Sequence, residues 1–174
     1  GNRGRRYMTE PGEAFQMDSL DKSERSSAIL YCGMISSNMK KRAKDELYLA
    51  IVLKESCKVI GEVFGHPEGT APEDETMDTF SPCWMLNLNY SGKGYAYEAA
   101  HAYFDYLFNE KGIRHIYAYT EDYNLCSQRL CERLGMRREG LFMEFVSFIK
   151  NPDDTPLYEN TMQYAILKRE WMEK

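Results

Sequence analysis

A chain of 174 residues is long enough to bury one sizeable core and is short for two domains. An apolar share of 43% with 13% aromatics excludes an extended disordered polypeptide. Acids outnumber bases 27 to 22, a net charge of −5, which argues against a general nucleic-acid binder with a basic face.

The opening residues Gly1 to Arg6 have no apolar run behind them, so no secretory signal peptide is read there. Arg3, Arg5 and Arg6 read as a solvated basic end. No apolar stretch approaches the roughly 18 residues of a bilayer span, so no membrane partner is expected. Cys32, Cys57, Cys83, Cys126 and Cys131 are scattered and odd in number. They read as free thiols of a reducing cytoplasm. The three histidines lack ligand spacing, so no metal site is expected.

Asp18 to about Asn38 reads as a helix, because Ala28, Tyr31, Cys32 and Ile35 fall at i, i+3, i+4 and i+7. Asp18 or Ser19 would cap it. Tyr48 to Lys54 and Lys58 to Phe64 read as a hairpin of two strands turning near Glu55-Ser56. His66 to Thr79 is acidic, contains Pro67, Pro72 and Gly69, and reads as a surface loop. Pro82 to Leu88 is the next strand.

The spacing then predicts a helix from Gly94 to about Glu110, with Ala96, Ala99, Ala100, Tyr103, Phe104 and Leu107 on one face and Gly112 beyond its end. Ile113 to Thr120 is a strand and Asn124 to Leu134 a short helix stopped by Gly135. Leu141 to Ile149 and Thr161 to Leu167 form a long hairpin around the polar turn Lys150 to Pro156. The order is that of a single mixed α/β or α+β domain over residues 1–174.

The segment Asn89-Tyr90-Ser91-Gly92-Lys93-Gly94-Tyr95-Ala96 joins a strand to a helix through two glycines. Such a turn brings backbone N–H groups close to a ligand, and the helix N-terminus behind it adds partial positive charge, which suits a phosphate. A third glycine of a dinucleotide turn and the Lys-Ser/Thr pair of a triphosphate loop are both missing. A nucleotide-binding protein is therefore a lesser reading, and an empty tight turn is another.

A second segment decides between them. Asn124, Ser127, Leu130, Gly135 and Met136 follow the next strand and span a helix. Together with Ser91-Gly92-Lys93-Gly94-Tyr95-Ala96 they resemble the two motifs of the GNAT superfamily of acetyl-CoA-dependent N-acetyltransferases, with Ser91 where the family usually has Gln or Arg. The phrase Gly-Lys-Gly-Tyr-Ala-Tyr-Glu-Ala and the ending Tyr164 to Trp171 resemble the branch containing ribosomal-protein N-terminal acetyltransferases. The resemblance runs from about Tyr48 to Trp171. It implies a central, mostly antiparallel twisted sheet, flanked by helices and splayed between the strands ending near Asn89 and Thr120. In this branch a first strand and helix precede a phrase like Tyr7-Met8-Thr9, and we expect them to be absent from this chain.

By resemblance, Ser91, Gly92, Lys93, Gly94, Tyr95 and Ala96 would cradle the pyrophosphate of coenzyme A. Leu86, Asn87 and Leu88 would pair with the pantetheine arm, and an N–H near Leu88 would face the thioester oxygen. Asn124 would bond that arm with Ser127 close by; locally, Asn124 also reads as an N-cap and Ser127 as a first-turn residue. The tyrosine that serves as acid in much of the superfamily is replaced by Cys131, whose periodicity with Cys126, Leu130 and Leu134 also reads as a buried face. Glu62, Glu121 and Asp122 are the carboxylates placed to act as base. Glu98 reads as a helix-dipole partner, and His101 and His115 as structural. The implied activity is direct attack of a primary amine, a protein N-terminus or a small molecule, on acetyl-CoA without metal. The alternative is a non-catalytic acyl-CoA-binding module of the same fold. A homodimer stays open.

Overall fold

The computed structural model describes residues 28–32, 47–69 and 77–173. Its strands are β1 (Ala28–Cys32), β2 (Leu49–Leu53), β3 (Val59–Glu68), β4 (Thr79–Leu86), β5 (His115–Glu121), β6 (Arg137–Lys150) and β7 (Pro156–Leu167). Its helices are α1 (Tyr95–Asn109), α2 (Leu125–Arg133) and α3 (Lys168–Met172). The sheet order is β1-β2-β3-β4-β5-β7-β6, and β4 with β5 is a parallel pair among antiparallel neighbours. This is the mixed α+β class expected. The β4–β5 ladder holds two rungs, Thr79↔His115 and Phe80↔Ile116, while β5 stays paired with β7 along its whole length.

The chain divides into two compact units, residues 1–64 with 84–99 and residues 65–83 with 100–174. In the first, Leu49, Ala50, Ile51 and Val52 are buried in succession, so both faces of β2 are covered. Tyr48 stacks on Phe64 with ring centroids 4.7 Å apart. Gly61 is needed for the close approach of β4, since a side chain there would press into the Met85 carbonyl and the Leu86 backbone.

The second unit is packed by the apolar face of α1. Ala100, Tyr103, Phe104, Leu107 and Phe108 are all nearly inaccessible, and each large side chain so buried contributes roughly 1.5–3 kcal/mol. The segment carries four alanines and neither glycine nor proline in its interior, so propensity and packing agree. Gly112, at φ 71°, lets the Ile113 N–H return to the Leu107 carbonyl at 3.0 Å. On α3, Trp171 lies against Phe104 and Phe108, and its indole N–H donates to Asp105 at 2.6 Å.

Four expectations change. Ala28–Cys32 is a strand and not part of a helix, because its five consecutive apolar residues pair antiparallel with β2; the rest of 18–38 lies outside the described residues. β3 runs on to Glu68, taking the start of the expected 66–79 loop into the sheet. β4 ends at Leu86, and Leu88–Tyr90 is a single 3-10 turn. The final hairpin is longer than expected, β6 starting at Arg137 and β7 at Pro156, because pairing between the two strands outweighs the polar composition of their ends.

Candidate active site

In the first unit, β4 runs into the turn that precedes α1. The Asn87 side chain caps this turn by accepting the Asn89 N–H at 3.0 Å, and the Ser91 N–H donates to the Leu88 carbonyl at 3.1 Å. Gly92 and Gly94 follow at φ 75° and 90°, the left-handed region in which L side chains are strained. Nothing lies within 4 Å of where a Cβ would stand on either, so the backbone is bare on that side. α1 then begins at Tyr95, the Glu98 N–H donating back to the Gly94 carbonyl at 3.1 Å, and a helix N-terminus carries partial positive charge. Bare backbone, positive φ and a helix start fit a pyrophosphate without any cationic side chain. Lys93 rests over the Tyr90 ring at 5.5 Å, with Lys58 at 5.4 Å over the same ring.

Just before the turn, the three residues expected to pair with pantetheine separate. The Asn87 N–H donates to the Ile60 carbonyl at 2.8 Å and its carbonyl accepts from Tyr90 at 2.9 Å, so Asn87 is tied to β3 and to its own turn. Alternation along the strand turns the backbone groups of Leu86 to the edge away from β3. Leu88 is 75% exposed. Glu62, on β3, accepts a 2.8 Å hydrogen bond from the Tyr48 hydroxyl and is half-buried.

In the second unit, the turn after β5 carries the other set. Asn124 caps α2, its side-chain oxygen accepting the Ser127 N–H at 3.2 Å, while its own N–H donates to the Glu121 carbonyl at 3.0 Å. The local cap reading of Asn124 and Ser127 therefore stands, whatever else these side chains do. Gln128, 9% exposed, donates through Nε2 to the carbonyls of Glu121 and Asp122 at 3.3 and 2.8 Å and pins the turn. Nothing in the sequence singled out Gln128; only its position one turn behind the cap could have.

Cys131 is fully buried, and removal from water pushes its thiol up to about 12. This burial agrees with the buried face that the periodicity of Leu130, Cys131 and Leu134 describes. His115 is lowered by burial and sits in the sheet beside Thr79, and His101 pairs with Asp105 at 3.2 Å within α1. Among the described residues, no group of three potential metal ligands comes together.

Glu121 also borders a pocket of about 190 Å³ whose walls include Tyr119, Phe145, Phe148 and Thr161. None of these four was among the candidate site residues read from the sequence. Asp122, one residue on, accepts from the Asn160 amide at 2.9 Å, and Asn160 in turn accepts the Glu144 N–H at 2.9 Å.

Comparison with known proteins agrees with this geometry. Residues 5–137 match the family described as acetyltransferase (GNAT) domain. A Bacillus subtilis protein named uncharacterized N-acetyltransferase YnaD is 38% identical over 93 residues, 53% of this chain. The chain spans about half the length of that curated relative, 51%. A GNAT-family acetyltransferase structure from Bacillus anthracis superposes with TM-score 0.59 at 30% identity, covering 71% of this chain and 68% of the other. A ribosomal-protein-S5-alanine acetyltransferase from Vibrio fischeri shares the fold, with TM-score 0.62 at 20% identity over 77% of this chain and 69% of the other. The match over most of its length places this chain in the GNAT acetyltransferase family.

Proposed function

We propose that this chain is an N-acetyltransferase that moves the acetyl group of acetyl-CoA to a primary amine. The observation that carries the reading is the glycine turn, bare and left-handed at Gly92 and Gly94, opening directly into α1. Ser91 to Ala96 hold the pyrophosphate through backbone N–H groups. Leu86 and Leu88 offer their backbone to the pantetheine amides.

The amine nitrogen attacks the thioester carbonyl, the C–N bond forms, the C–S bond breaks, and the sulfur leaves with the bonding pair. The nitrogen's proton goes to a carboxylate, directly or through water, with Glu121 or Glu62 as the base. An α-amine, with an ordinary pKa of about 8 against roughly 10.4 for lysine, needs the weaker base. The acceptor is a protein N-terminus or a small amine, and the acidic balance of the chain favours a cationic one. The homologue's name, N-acetyltransferase, supports the reaction and is silent on the acceptor.

The burial of Cys131 favours a second reading, a non-catalytic acyl-CoA-binding module, since it leaves the usual acid position empty of a working group. A thiol-release assay with acetyl-CoA and a panel of amines separates the two. Turnover on any amine supports the enzyme, and coenzyme A binding without turnover on all of them supports the module. Gly94→Asp puts a strained residue and a negative charge into the cradle, so coenzyme A affinity falls by at least about tenfold. Unchanged affinity in that variant would overturn the assignment of the turn.

A further inference from the structure

The pairing of the long hairpin is irregular along β6. Phe142 faces Thr161 and Val146 faces Glu159, so β6 advances four residues while β7 advances two. A second slip follows, Val146 facing Glu159 and Ile149 facing Leu157. Phe145 lies in the first of these bulges and Phe148 in the second. Bulges of this kind re-aim side chains and concentrate beside functional sites. The first is held in a costly conformation, Glu144 standing at φ 49°, by the Asn160 side chain that receives its N–H.

The outcome is an exposed aromatic cluster. Phe145 comes within 5.0 Å of Phe142 and 5.8 Å of Tyr119, centroid to centroid, and Tyr119 is 6.0 Å from Phe142. Phe145 and Phe148 remain 48% and 64% exposed, so these rings are held out and not folded in. They wall the 190 Å³ pocket, the volume of on the order of six water molecules, enough for one short group and no more.

Thr120, Glu121 and Thr161 are the polar residues that line that pocket beside Tyr119. Thr161 opposes both Glu121 and Phe142 in the sheet, so its side chain stands on their face. It is 4% exposed, and its hydroxyl has no hydrogen-bond partner among the described residues. Such a hydroxyl has lost water and gained nothing. Glu121 supplies a carboxylate at the rim.

The geometry points to a binding pocket for a cationic nitrogen on a short carbon chain, which rests on the amine-acceptor reading above and narrows it. An ammonium satisfies all three features: ring faces attract it, the Thr161 oxygen accepts its N–H, and Glu121 balances its charge. A neutral chain uses the rings alone, and an anion is repelled by Glu121. The carboxylate that holds the ammonium is also placed to take its proton.

The test is a chemical-shift titration of the full chain, without acetyl-CoA, using n-butylammonium, 1-butanol and butyrate as probes. Butylammonium should move the amides of Tyr119, Phe145 and Thr161 and bind about tenfold more tightly than butanol, with butyrate weakest. Phe145→Ala and Phe148→Ala should each weaken it by about threefold, and Glu121→Gln and Thr161→Val should narrow its advantage over butanol. Equal affinity for butanol, no response to either phenylalanine variant, or shifts confined to other residues would overturn the proposal. Coenzyme A is titrated in parallel. Failure of the wild-type chain to bind it would sink the acetyl-transfer reading, while the amine titration alone decides the pocket. Phe148→Ala should leave coenzyme A affinity within about twofold.

Discussion

Asn160→Ala tests whether a single amide holds the bend that aims Phe145. The side chain makes two bonds of 2.9 Å, donating to the Asp122 carboxylate and accepting the N–H of Glu144. A neutral hydrogen bond is worth about 0.5–1.5 kcal/mol and one to a charged group about 1.5–3. Glu144 is exposed and Asn160 half-buried, so both belong at the low end, a loss of about 2 kcal/mol. For a chain of this size each kcal/mol moves Tm by about 2–4 °C, so the variant should melt about 4–8 °C lower by calorimetry.

Adding Glu144→Gly in the Asn160→Ala background should recover part of that loss. Glycine removes the roughly 1–2 kcal/mol penalty of left-handed backbone at a cost of about 0.5–1 in chain entropy. Asn160→Ala should also weaken n-butylammonium binding as much as Phe145→Ala does, since the ring loses its support. A Tm within 1 °C of wild type would show that the bulge stands without Asn160. A lowered Tm with amine affinity intact would show that the bulge does not aim the ring.

Three further outcomes follow from the burial and charge of other residues. Iodoacetamide at about pH 8, read by peptide mass, should label exposed Cys57, Cys83 and Cys126 at least ~100-fold faster than Cys131, whose thiol is buried and raised to about 12; comparable rates for Cys126 and Cys131 would refute the core placement. Cys131→Ala should leave thiol release within about twofold of wild type, whereas an acid role would abolish most of it. The Arg114 guanidinium, 2.8 Å from Asp78, holds that carboxyl below its ordinary value, so the pair's contribution is full above the unfolded carboxyl pKa and disappears as pH falls through the depressed one. Asp78→Asn should therefore cost less than about 1 kcal/mol at pH 7, the pair being solvent-exposed, and nothing near pH 2; an equal loss at both would assign the effect to something other than the ion pair.

What could be read from the sequence was whatever a short segment decides by itself. The glycine turn, α1 and the Asn124 cap each depend on residues within a few positions, so spacing was enough to find them. Ala28–Cys32 failed because its apolar residues suit a helix face and a strand equally, and only its partner β2 decides. Cys131 was found by motif position, but its depth comes from packing within the second unit. The bulges in β6 were out of reach, since a bulge is defined by what lies opposite, and no local pattern around Phe145 records the register of β7.

The same distinction separates the donor side from the acceptor side. A cradle built from backbone N–H groups asks the sequence for little more than glycine at Gly92 and Gly94, and almost any side chains around it will serve. The proposed amine pocket of Tyr119, Glu121, Phe145 and Thr161 draws on three strands, with register slips in β6 beside it. Changing the acceptor therefore requires only a new register or a new ring on β6, with the glycine turn untouched. A chimera carrying another family member's residues 137–167 in place of its own should change amine preference while keeping its affinity for coenzyme A. Retention of the original preference would place acceptor selection elsewhere in the chain.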